Sequence, residues 1–303
     1  MFNPVYYKQV KLLLATLPLL QKHECFALKG GTAMNLFVQN LPRLSVDIDL
    51  AYLPLVSRDE ALGQISNKLE QLAGEIENEL DQTTVTKQPI AGVTGKLIVN
   101  APEAQIKIEP NFVFRGALHP AETRMLCSAA QEEFEQFVES RIVSIADLYG
   151  GKICAALDRQ HPRDLFDAYL MFEQFGLTDE IRTAFVVYLA GHPRPMAELL
   201  SPNDQPLDEL YHSQFAGMTR EPVSLETLVD VRRRLVQEVN GGLTNDERHF
   251  LLSIKAGTPE WSRLPIEHLD KLPALQWKLR NVGKMEPAKH QHAINALKRV
   301  LKL

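Results

Sequence analysis

The sequence predicts an α+β protein, with a small mixed sheet and flanking helices in residues 1–140 and a mainly helical lobe in residues 141–303. Three observations predict this arrangement. Short apolar segments of strand length occur before residue 110, an amphipathic helical period separates them over residues 57–80, and helical periods dominate after residue 144. With 303 residues, 45% of them hydrophobic, the chain is long enough to bury the cores of two lobes.

The elements of the first lobe follow from the spacing of its apolar residues. The predicted elements are helices over residues 5–23, 32–39 and 57–80 and strands over residues 25–28, 44–53, 96–100 and 105–109. Thr32 is expected to cap the second helix, because a threonine hydroxyl can accept from the first free backbone N–H groups. The predicted strand over residues 44–53 ends before Pro54, because proline has no backbone N–H to donate to a neighbouring strand.

The second lobe has helical periods separated by turn signals. A helix is predicted to start near Ser144, to break at residues 158–162, and to be followed by a helix over residues 163–173. Proline-rich loops are expected at residues 191–206 and 257–265. We therefore place the boundary between the lobes in the region where strand character gives way to helices.

Composition excludes several classes of protein. The net charge of −5 and the pI near 6.0 neither support nor exclude an RNA substrate. Cys25, Cys127 and Cys154 are odd in number and widely spaced, which argues against a disulfide framework or a zinc site and favours a reducing, cytoplasmic compartment. The apolar run at residues 10–20 contains Pro18 and is read as a core-facing helix, and no membrane association is expected.

The strongest chemical signal is a pair of aspartates one residue apart, Asp47 and Asp49, in an apolar strand that follows Gly30-Gly31-Thr32. Alternate residues of a strand share a face, so the two carboxylates lie side by side, and Mg²⁺ is the cation that such oxygen ligands suit. The glycine pair before a helix would let backbone N–H groups approach a phosphate, although any tight turn can use two glycines. An exposed strand end is the alternative for the aspartates.

Three further residues lie near these motifs. Glu109 would complete the metal site if its strand lies beside the aspartate strand, whereas an exposed pair with Lys107 is the alternative. Arg43 and Ser45 precede the aspartates and could contact phosphate or solvate the start of the strand.

A second polar cluster follows residue 150. Lys152 lies among small and apolar residues of a helix, where it could meet a triphosphate, with Arg159 or Arg163 as an auxiliary cation and Asp164 orienting Lys152. The alternative is an ordinary salt bridge between helices, and spacing alone does not decide between the two.

Taken in order, these motifs resemble the AbiEii/AbiGii toxin family of nucleotidyltransferase-like proteins. The segments that carry the resemblance are residues 28–34, 43–50, 106–109, 151–152, 163–167, 243–251 and 272–279. The resemblance spans nearly the whole chain, and the ordered set is more specific than any one motif.

The resemblance implies a nucleotidyltransferase core like that of DNA polymerase β, with the helical lobe completing the active-site cleft. It implies that Gly30, Gly31 and Thr32 hold the phosphates of an NTP and that Asp47 and Asp49 bind Mg²⁺. It further implies that Lys152 meets the triphosphate, that Asp164 supports catalysis, and that Glu109 stands where related enzymes carry a third acid. As a bacterial toxin, the protein would have a cognate antitoxin, and its acceptor would be an RNA end such as that of a tRNA, or a protein.

Two other functions stay open at this point. The same three acids could form the metal site of a nuclease, which would cleave without added NTP. Alternatively, the protein could be a non-catalytic nucleotide-binding interaction module, in which Asp49 would have no essential role. The transferase reaction that the resemblance implies needs no cysteine or serine nucleophile.

Overall fold

The computed structural model describes residues 3–303, so residues 1 and 2 of the predicted first lobe lie outside the described residues. The chain divides into two compact units. The first contains the residues up to Ser144 together with Ala216–Pro222, and the second contains Ile145–Phe215 and Val223–Leu303. The sequence places Ala216–Pro222 with the helical lobe, whereas the structure packs it with the first unit.

The first unit contains a mixed sheet, as predicted. Within residues 3–303 its seven strands are β1 (Phe26–Lys29), β2 (Asp47–Tyr52), β3 (Thr84–Ile90), β4 (Val93–Ala101), β5 (Ala104–Pro110), β6 (Glu122–Met125) and β7 (Glu139–Ile142). Their spatial order is β3-β4-β5-β2-β1-β7-β6. The β2–β5 and β1–β7 pairs are parallel and the other pairs antiparallel. The sheet therefore surrounds the aspartate strand β2 with a neighbour on each side.

Helices cover the apolar face of this sheet. The helices of the first unit are α1 (Pro4–Gln21), α2 (Gly30–Ala33), α3 (Arg58–Glu79) and α4 (Ser128–Phe134). Helix α1 packs on β5 and β7, and α3 packs on β3 and β4. Ile48 and Leu50 of β2 are fully buried, whereas Asp47 and Asp49, which alternate with them, are only partly buried. The two-residue period of a strand thus separates a core face from a polar face.

The segment after the glycine pair differs from the prediction. We expected a helix over residues 32–39 capped by Thr32, but α2 begins at Gly30 and continues into a π-helix at Met34–Val38. The Thr32 cap was wrong, because its hydroxyl instead donates to the carbonyl oxygen of Asp47 at 2.6 Å. A π-helix is rare and often marks a functional segment, so this turn is a local departure from regular helix beside the aspartate strand.

Strands β3, β6 and β7 were not predicted. Strand β3 is mostly exposed at one edge of the sheet, and β6 lies at the other edge, so neither has the buried apolar alternation that marks a strand in sequence. Strand β7 has four residues, and its pairing of Ile142 with Leu28 of β1 joins positions far apart in sequence. Strands that are short or lie at an edge of the sheet were therefore not predicted from the sequence.

The second unit is helical, as predicted. Its helices are α5 (Ile145–Arg159), α6 (Pro162–Gln174), α7 (Asp179–Gly191), α8 (Met196–Leu200), α9 (Asp208–Gln214), α10 (Leu225–Gly242), α11 (Asn245–Ala256), α12 (Pro273–Gly283) and α13 (Pro287–Leu301), with 3-10 turns at Trp261–Arg263 and Leu269–Lys271. The predicted loop at residues 191–206 contains α8. The predicted break after residue 158 is a short turn in which Gln160 has a φ of 48°.

Helices α5 and α7 approach closely through one glycine. A Cβ atom added at Gly150 would lie 2.7 Å from the backbone nitrogen of Phe185 and 2.8 Å from the carbonyl carbon of Ala184. At the next residue, Gly151, the nearest atom would be a ring carbon of Tyr188 at 3.8 Å, an ordinary contact. Only the first glycine is therefore required by the packing of the two helices.

Among the helices of residues 3–303, none combines the length and the apolar character needed to cross a membrane.

We expect Gly150→Ala to lower the free energy of unfolding by about 1–3 kcal/mol, because the added methyl group overpacks against the backbone of α7. Gly151→Ala is the matched control and should raise stability by up to about 1 kcal/mol, since alanine favours a helix over glycine. Urea unfolding followed by circular dichroism measures both. Equal stability of the two variants would show that α5 and α7 are not held this closely.

Candidate functional site

The register of the sheet places the paired aspartates among other charged residues. Asp49 lies opposite Lys29 of β1 and opposite Glu109 of β5, and Asp47 lies opposite Lys107 of β5. Directly paired residues of neighbouring strands share a face, so all five side chains arise from the polar face of the sheet. Strand β5 lies beside β2, so the condition under which Glu109 was expected to share a face with Asp49 is met.

Gly30 allows the carboxylate of Asp49 to lie against the start of α2. Its φ is 68°, in the left-handed region that favours glycine, and a Cβ atom here would overlap the Asp49 carboxylate. Both properties require glycine at this position. Gly30 therefore allows the backbone to approach the Asp49 carboxylate closely.

Gly31 serves a second close approach, to the loop before β2. A Cβ atom at Gly31 would lie 2.8 Å from a guanidinium nitrogen of Arg43 and 2.8 Å from the hydroxyl of Ser45. Arg43 is buried and donates to the carbonyl oxygen of Leu44 at 3.0 Å, so it does not solvate the start of the strand. The hydroxyls of Thr32 and Ser45 are 3.0 Å apart. The glycine turn, Arg43, Ser45 and Thr32 therefore form one contiguous polar cluster.

The returning segment Ala216–Pro222 holds this loop from outside. Arg43 forms an antiparallel bridge with Thr219, and the backbone N–H of Arg220 donates to the carbonyl oxygen of Pro42 at 2.9 Å. The Arg220 side chain pairs with Glu133 at 3.3 Å. The loop that carries Arg43 and Ser45 is thus fixed on both sides, by α2 and by a segment distant in sequence.

Glu109 is ion-paired with Lys96 of β4 rather than with Lys107. The β4–β5 register pairs Leu97 with Ile108, which brings Lys96 to the same face as Glu109. In residues 3–303 no group of three His, Cys, Asp or Glu side chains has an arrangement ready to hold a metal ion. The acidic residues of the polar face are therefore the pair Asp47 and Asp49 and the neighbouring Glu109, which is ion-paired with Lys96.

The aspartate pair nevertheless fits Mg²⁺. Magnesium is usually bound by one or two carboxylates together with waters and substrate phosphates, so two aspartates on one face supply a sufficient protein donor set. Asp47 and Asp49 come from a strand whose other face is fully buried, which fixes their backbone. The residues that would hold the ion are these two.

The second unit has its own charged cluster, between α5 and α6. The ammonium of Lys152 lies 3.0 Å from a carboxylate oxygen of Asp164 and 2.8 Å from one of Asp167, and all three side chains are buried. Arg159 reaches the second oxygen of Asp164 at 2.9 Å from the surface. The predicted partnership of Lys152 with Asp164 is present, and it has the form of an ion pair between two helices.

The charges of this cluster determine the ionisation of Asp164. Burial alone would raise the pKa of Asp164, but the positive charges of Lys152 and Arg159 outweigh it and hold the pKa below its usual value. Asp164 is therefore a carboxylate at neutral pH. Arg163 is half-buried at the start of α6, and its backbone N–H donates to the Nδ1 atom of His161 at 3.1 Å. Its side chain forms no ion pair within the described residues.

Two members of these clusters were not among the predicted site residues. Lys96 was read only as part of a strand, because its position opposite Glu109 depends on a register that the sequence does not reveal. Asp167 lies three residues after Asp164, so it shares a helix face with Asp164, and that spacing was a usable signal.

The comparison with known families decides the identity of the chain. Residues 11–281 match the family described as Nucleotidyl transferase AbiEii toxin, Type IV TA system. The chain belongs to this family. As an AbiEii protein it is a nucleotidyltransferase toxin of a type IV toxin–antitoxin system, and the resemblance seen in the sequence motifs is confirmed.

The fold of this AbiEii protein is similar to that of a solved toxin. MenT4, a nucleotidyltransferase toxin from Mycobacterium tuberculosis H37Rv, superimposes with a TM-score of 0.62 at 16% sequence identity. The match covers 92% of this chain and 95% of MenT4. At this identity the similarity concerns the fold. A search of curated proteins gave no significant match.

We expect Asp164→Asn to lower the free energy of unfolding at pH 7 by about 1.5–3 kcal/mol, because a buried, charge-assisted hydrogen bond to Lys152 is lost. The folded-state pKa of Asp164 is below the unfolded value near 3.8, so its contribution is complete above pH 3.8 and disappears as pH falls through the folded pKa. Urea unfolding at pH 7, 5 and 3 should show the difference between wild type and variant shrinking only at pH 3.

Asp230→Asn is the control for this prediction, because Asp230 forms an exposed pair with Arg233 and should contribute less than about 1 kcal/mol at pH 7. If Asp164→Asn is no more destabilising than Asp230→Asn, the buried ion pair does not stabilise the second unit.

Proposed function

We propose that this AbiEii protein is a Mg²⁺-dependent nucleotidyltransferase that transfers a nucleoside monophosphate from an NTP to an acceptor hydroxyl. The acceptor is an RNA end, such as that of a tRNA, or a hydroxyl of a protein. The protein acts in the cytoplasm as the toxin of a pair with a cognate antitoxin. Membership of the family supports the transferase and toxin roles.

One observation carries the metal and nucleotide parts of this proposal. Asp47 and Asp49 share the polar face of β2, and Gly30 brings the chain against the second of them with no side chain in between. Two adjacent carboxylates repel each other unless a cation lies between or beside them. A magnesium ion bound together with the phosphates of an NTP would supply such a cation beside Asp47 and Asp49.

Residues of the first unit would bind and orient the nucleotide. Gly30 and Gly31 let the Asp49 carboxylate and the side chains of Arg43 and Ser45 lie against the glycine turn, and the hydroxyls of Thr32 and Ser45 belong to the same cluster. Arg43 adds a guanidinium that is already fixed by the backbone of Leu44. Because these groups are held in place before substrate binds, the nucleotide bears little of the cost of ordering them.

Residues of the second unit would add positive charge for the triphosphate. Lys152 and Arg163 are the proposed cations, and Asp164 is proposed to orient Lys152 and so support catalysis. The family pattern supports these roles, and the fixed position of the Lys152 ammonium between two carboxylates is consistent with a group that is oriented rather than mobile. Arg163, which has no carboxylate partner among residues 3–303, is the more available of the two cations.

The reaction joins the acceptor oxygen to the α-phosphorus of the NTP. A new O–P bond forms, the bond from the α-phosphorus to the bridging oxygen breaks, pyrophosphate leaves, and the hydroxyl proton passes to water. Bound Mg²⁺ supplies Lewis-acid stabilisation of the phosphoryl oxygens and of the leaving group. The chain itself aligns the two reactants, since Asp47, Asp49 and the glycine cluster fix the donor.

A direct experiment tests the transferase reaction. The protein is incubated with Mg²⁺, total RNA and each α-labelled NTP in turn, and the label is followed on RNA and protein bands. Label on one species identifies the donor and the acceptor together. RNA cleavage without NTP would instead indicate a metal-dependent nuclease, and nucleotide binding without transfer would indicate an interaction module.

Asp49→Asn should reduce transfer by at least about 100-fold, because Lewis-acid stabilisation is worth several kcal/mol and each 1.36 kcal/mol is tenfold in rate. The fold should persist, since Asp49 lies outside the buried core of the sheet. Asp59→Asn, at a fully exposed position of α3, is the matched control and should keep wild-type activity. Full activity in Asp49→Asn would rule out this metal site.

The glutamate beside the pair generates a separate prediction. If Glu109 is the third metal ligand, Lys96 competes with the metal for it. Lys96→Ala should then lower the Mg²⁺ concentration for half-maximal activity by about three- to tenfold, since a positive charge near the site is removed. Glu109→Gln should raise that concentration.

Lys87→Ala is the control, because Lys87 lies on the edge strand β3 and pairs with Glu70 of α3 rather than with an acid of the proposed metal site. A Mg²⁺ titration that is the same for Glu109→Gln and wild type would leave Glu109 as the structural partner of Lys96 only.

A further inference from the structure

The last two helices of the second unit are strongly basic in an acidic protein. Residues 273–303 contain seven Lys or Arg and one acidic residue, Glu286, for a net charge of +6. The remaining 26 basic and 37 acidic residues of the chain give a net charge of −11. Such segregation produces a local positive field that the total charge conceals.

Six of these seven cations are exposed. They are Arg280, Lys284, Lys289, Lys298, Arg299 and Lys302. None of the six forms an ion pair within residues 3–303. In contrast, the three consecutive arginines of α10 all have carboxylate partners. The positive charge of α12 and α13 is therefore not neutralised by the protein itself.

Helical spacing arranges these side chains on exposed faces. On α12, Trp277, Arg280 and Lys284 are separated by three and four residues, and Trp277 is 48% exposed. Lys298 and Arg299 lie in the last turn of α13 and Lys302 is the residue that ends it, so the three exposed cations lie together at the C-terminal end of the helix. An exposed indole beside unpaired cations is the combination that binds single-stranded nucleic acid, through stacking and phosphate contacts.

Buried lysines beneath this face add to the positive field. Burial, together with the charge of Lys255, lowers the pKa of Lys278 to about 8. Burial and the charge of Lys289 likewise lower the pKa of Lys255. The ammonium of Lys278 is held by the carbonyl oxygens of His192 and Arg194, at 2.6 and 3.2 Å, and no carboxylate is paired with it in the described residues.

We propose that the exposed faces of α12 and α13 form a binding surface for single-stranded RNA, in which the six cations contact phosphates and Trp277 stacks on a base. An anionic membrane fits less well, because Leu297 and Leu301 of α13 are buried against the protein and are not available for insertion. The identification of this RNA as the acceptor of the transferase rests on the proposed function, whereas the binding itself does not.

A binding assay without NTP or metal tests the surface. Fluorescence anisotropy measures the affinity of the full chain for a labelled single-stranded RNA over a range of salt concentrations. The test variant replaces Arg280, Lys284, Lys298 and Arg299 by glutamine. The control variant removes the same charge at exposed cations elsewhere, Lys8, Lys22, Arg58 and Arg233.

The test variant should bind at least about tenfold more weakly, with a salt slope reduced by about 2–3, because each phosphate contact on a single strand contributes about 0.7. The control variant should bind like wild type. Equal loss in both variants would show that net charge alone attracts RNA and would overturn the proposal. Circular dichroism and the unfolding midpoint establish that both variants fold.

Trp277→Ala should weaken RNA binding by about 5- to 100-fold, the range of a single stacking contact. The chain contains two tryptophans, so Trp261→Phe leaves Trp277 as the only indole, and its fluorescence should be quenched by RNA. Unchanged affinity in Trp277→Ala overturns the stacking contact. Equal affinity for DNA of the same sequence, or binding to phosphatidylserine vesicles without binding to RNA, overturns the assignment of the surface to RNA.

A kinetic assay separates this inference from the proposed function. If RNA is the acceptor, the test variant should have a raised KM for RNA with an unchanged KM for NTP and an unchanged kcat. Asp49→Asn should lose transfer and still bind RNA. RNA binding by a protein that transfers no nucleotide would refute the proposed function and leave the binding surface standing.

Discussion

The register between β2 and its two neighbours is the constraint on which the candidate site depends. Ile48 and Leu50 are fully buried on one face, and this burial fixes Asp47 and Asp49 on the other. A slip by one residue would move both carboxylates into the core and both apolar side chains to the polar face, at a cost of several kcal/mol. The hydrophobic core therefore positions the charged site.

Adjacent carboxylates repel each other, and the two units of the chain differ in which cations lie near them. In the second unit, Lys152 and Arg159 neutralise the buried carboxylates of Asp164 and Asp167, so that cluster is complete without a ligand. In the first unit, Lys96 engages Glu109, and Lys29 lies opposite Asp49 across the β1–β2 pair. We propose the metal at Asp47 and Asp49 rather than at the second cluster because these two aspartates are only partly buried, whereas Asp164 and Asp167 are buried.

The sequence was sufficient where structure follows from local periodicity. The alternation around Asp47 and Asp49 located β2 and its faces, and the amphipathic period located α3 within about one residue at each end. It was insufficient where long-range pairing decides. The partner of Glu109 and the return of Ala216–Pro222 to the first unit depend on pairing between separate segments of the chain. The role predicted for Thr32 was wrong because a helix cap is a hydrogen bond to a neighbouring residue. The Thr32 hydroxyl instead donates to the carbonyl oxygen of Asp47 in strand β2.

Net charge was uninformative about an RNA substrate because it averages over a chain whose charges are segregated. A total of −5 is uninformative about RNA, yet residues 273–303 alone carry +6. Screening limits exposed charges to a range of about 8–10 Å at physiological salt, so the net charge of the whole chain does not describe the field at α12 and α13. Within that range the local count of unpaired cations governs association with a polyanion. The acidic remainder instead disfavours non-specific coating of the protein by nucleic acid, which confines binding to the basic face.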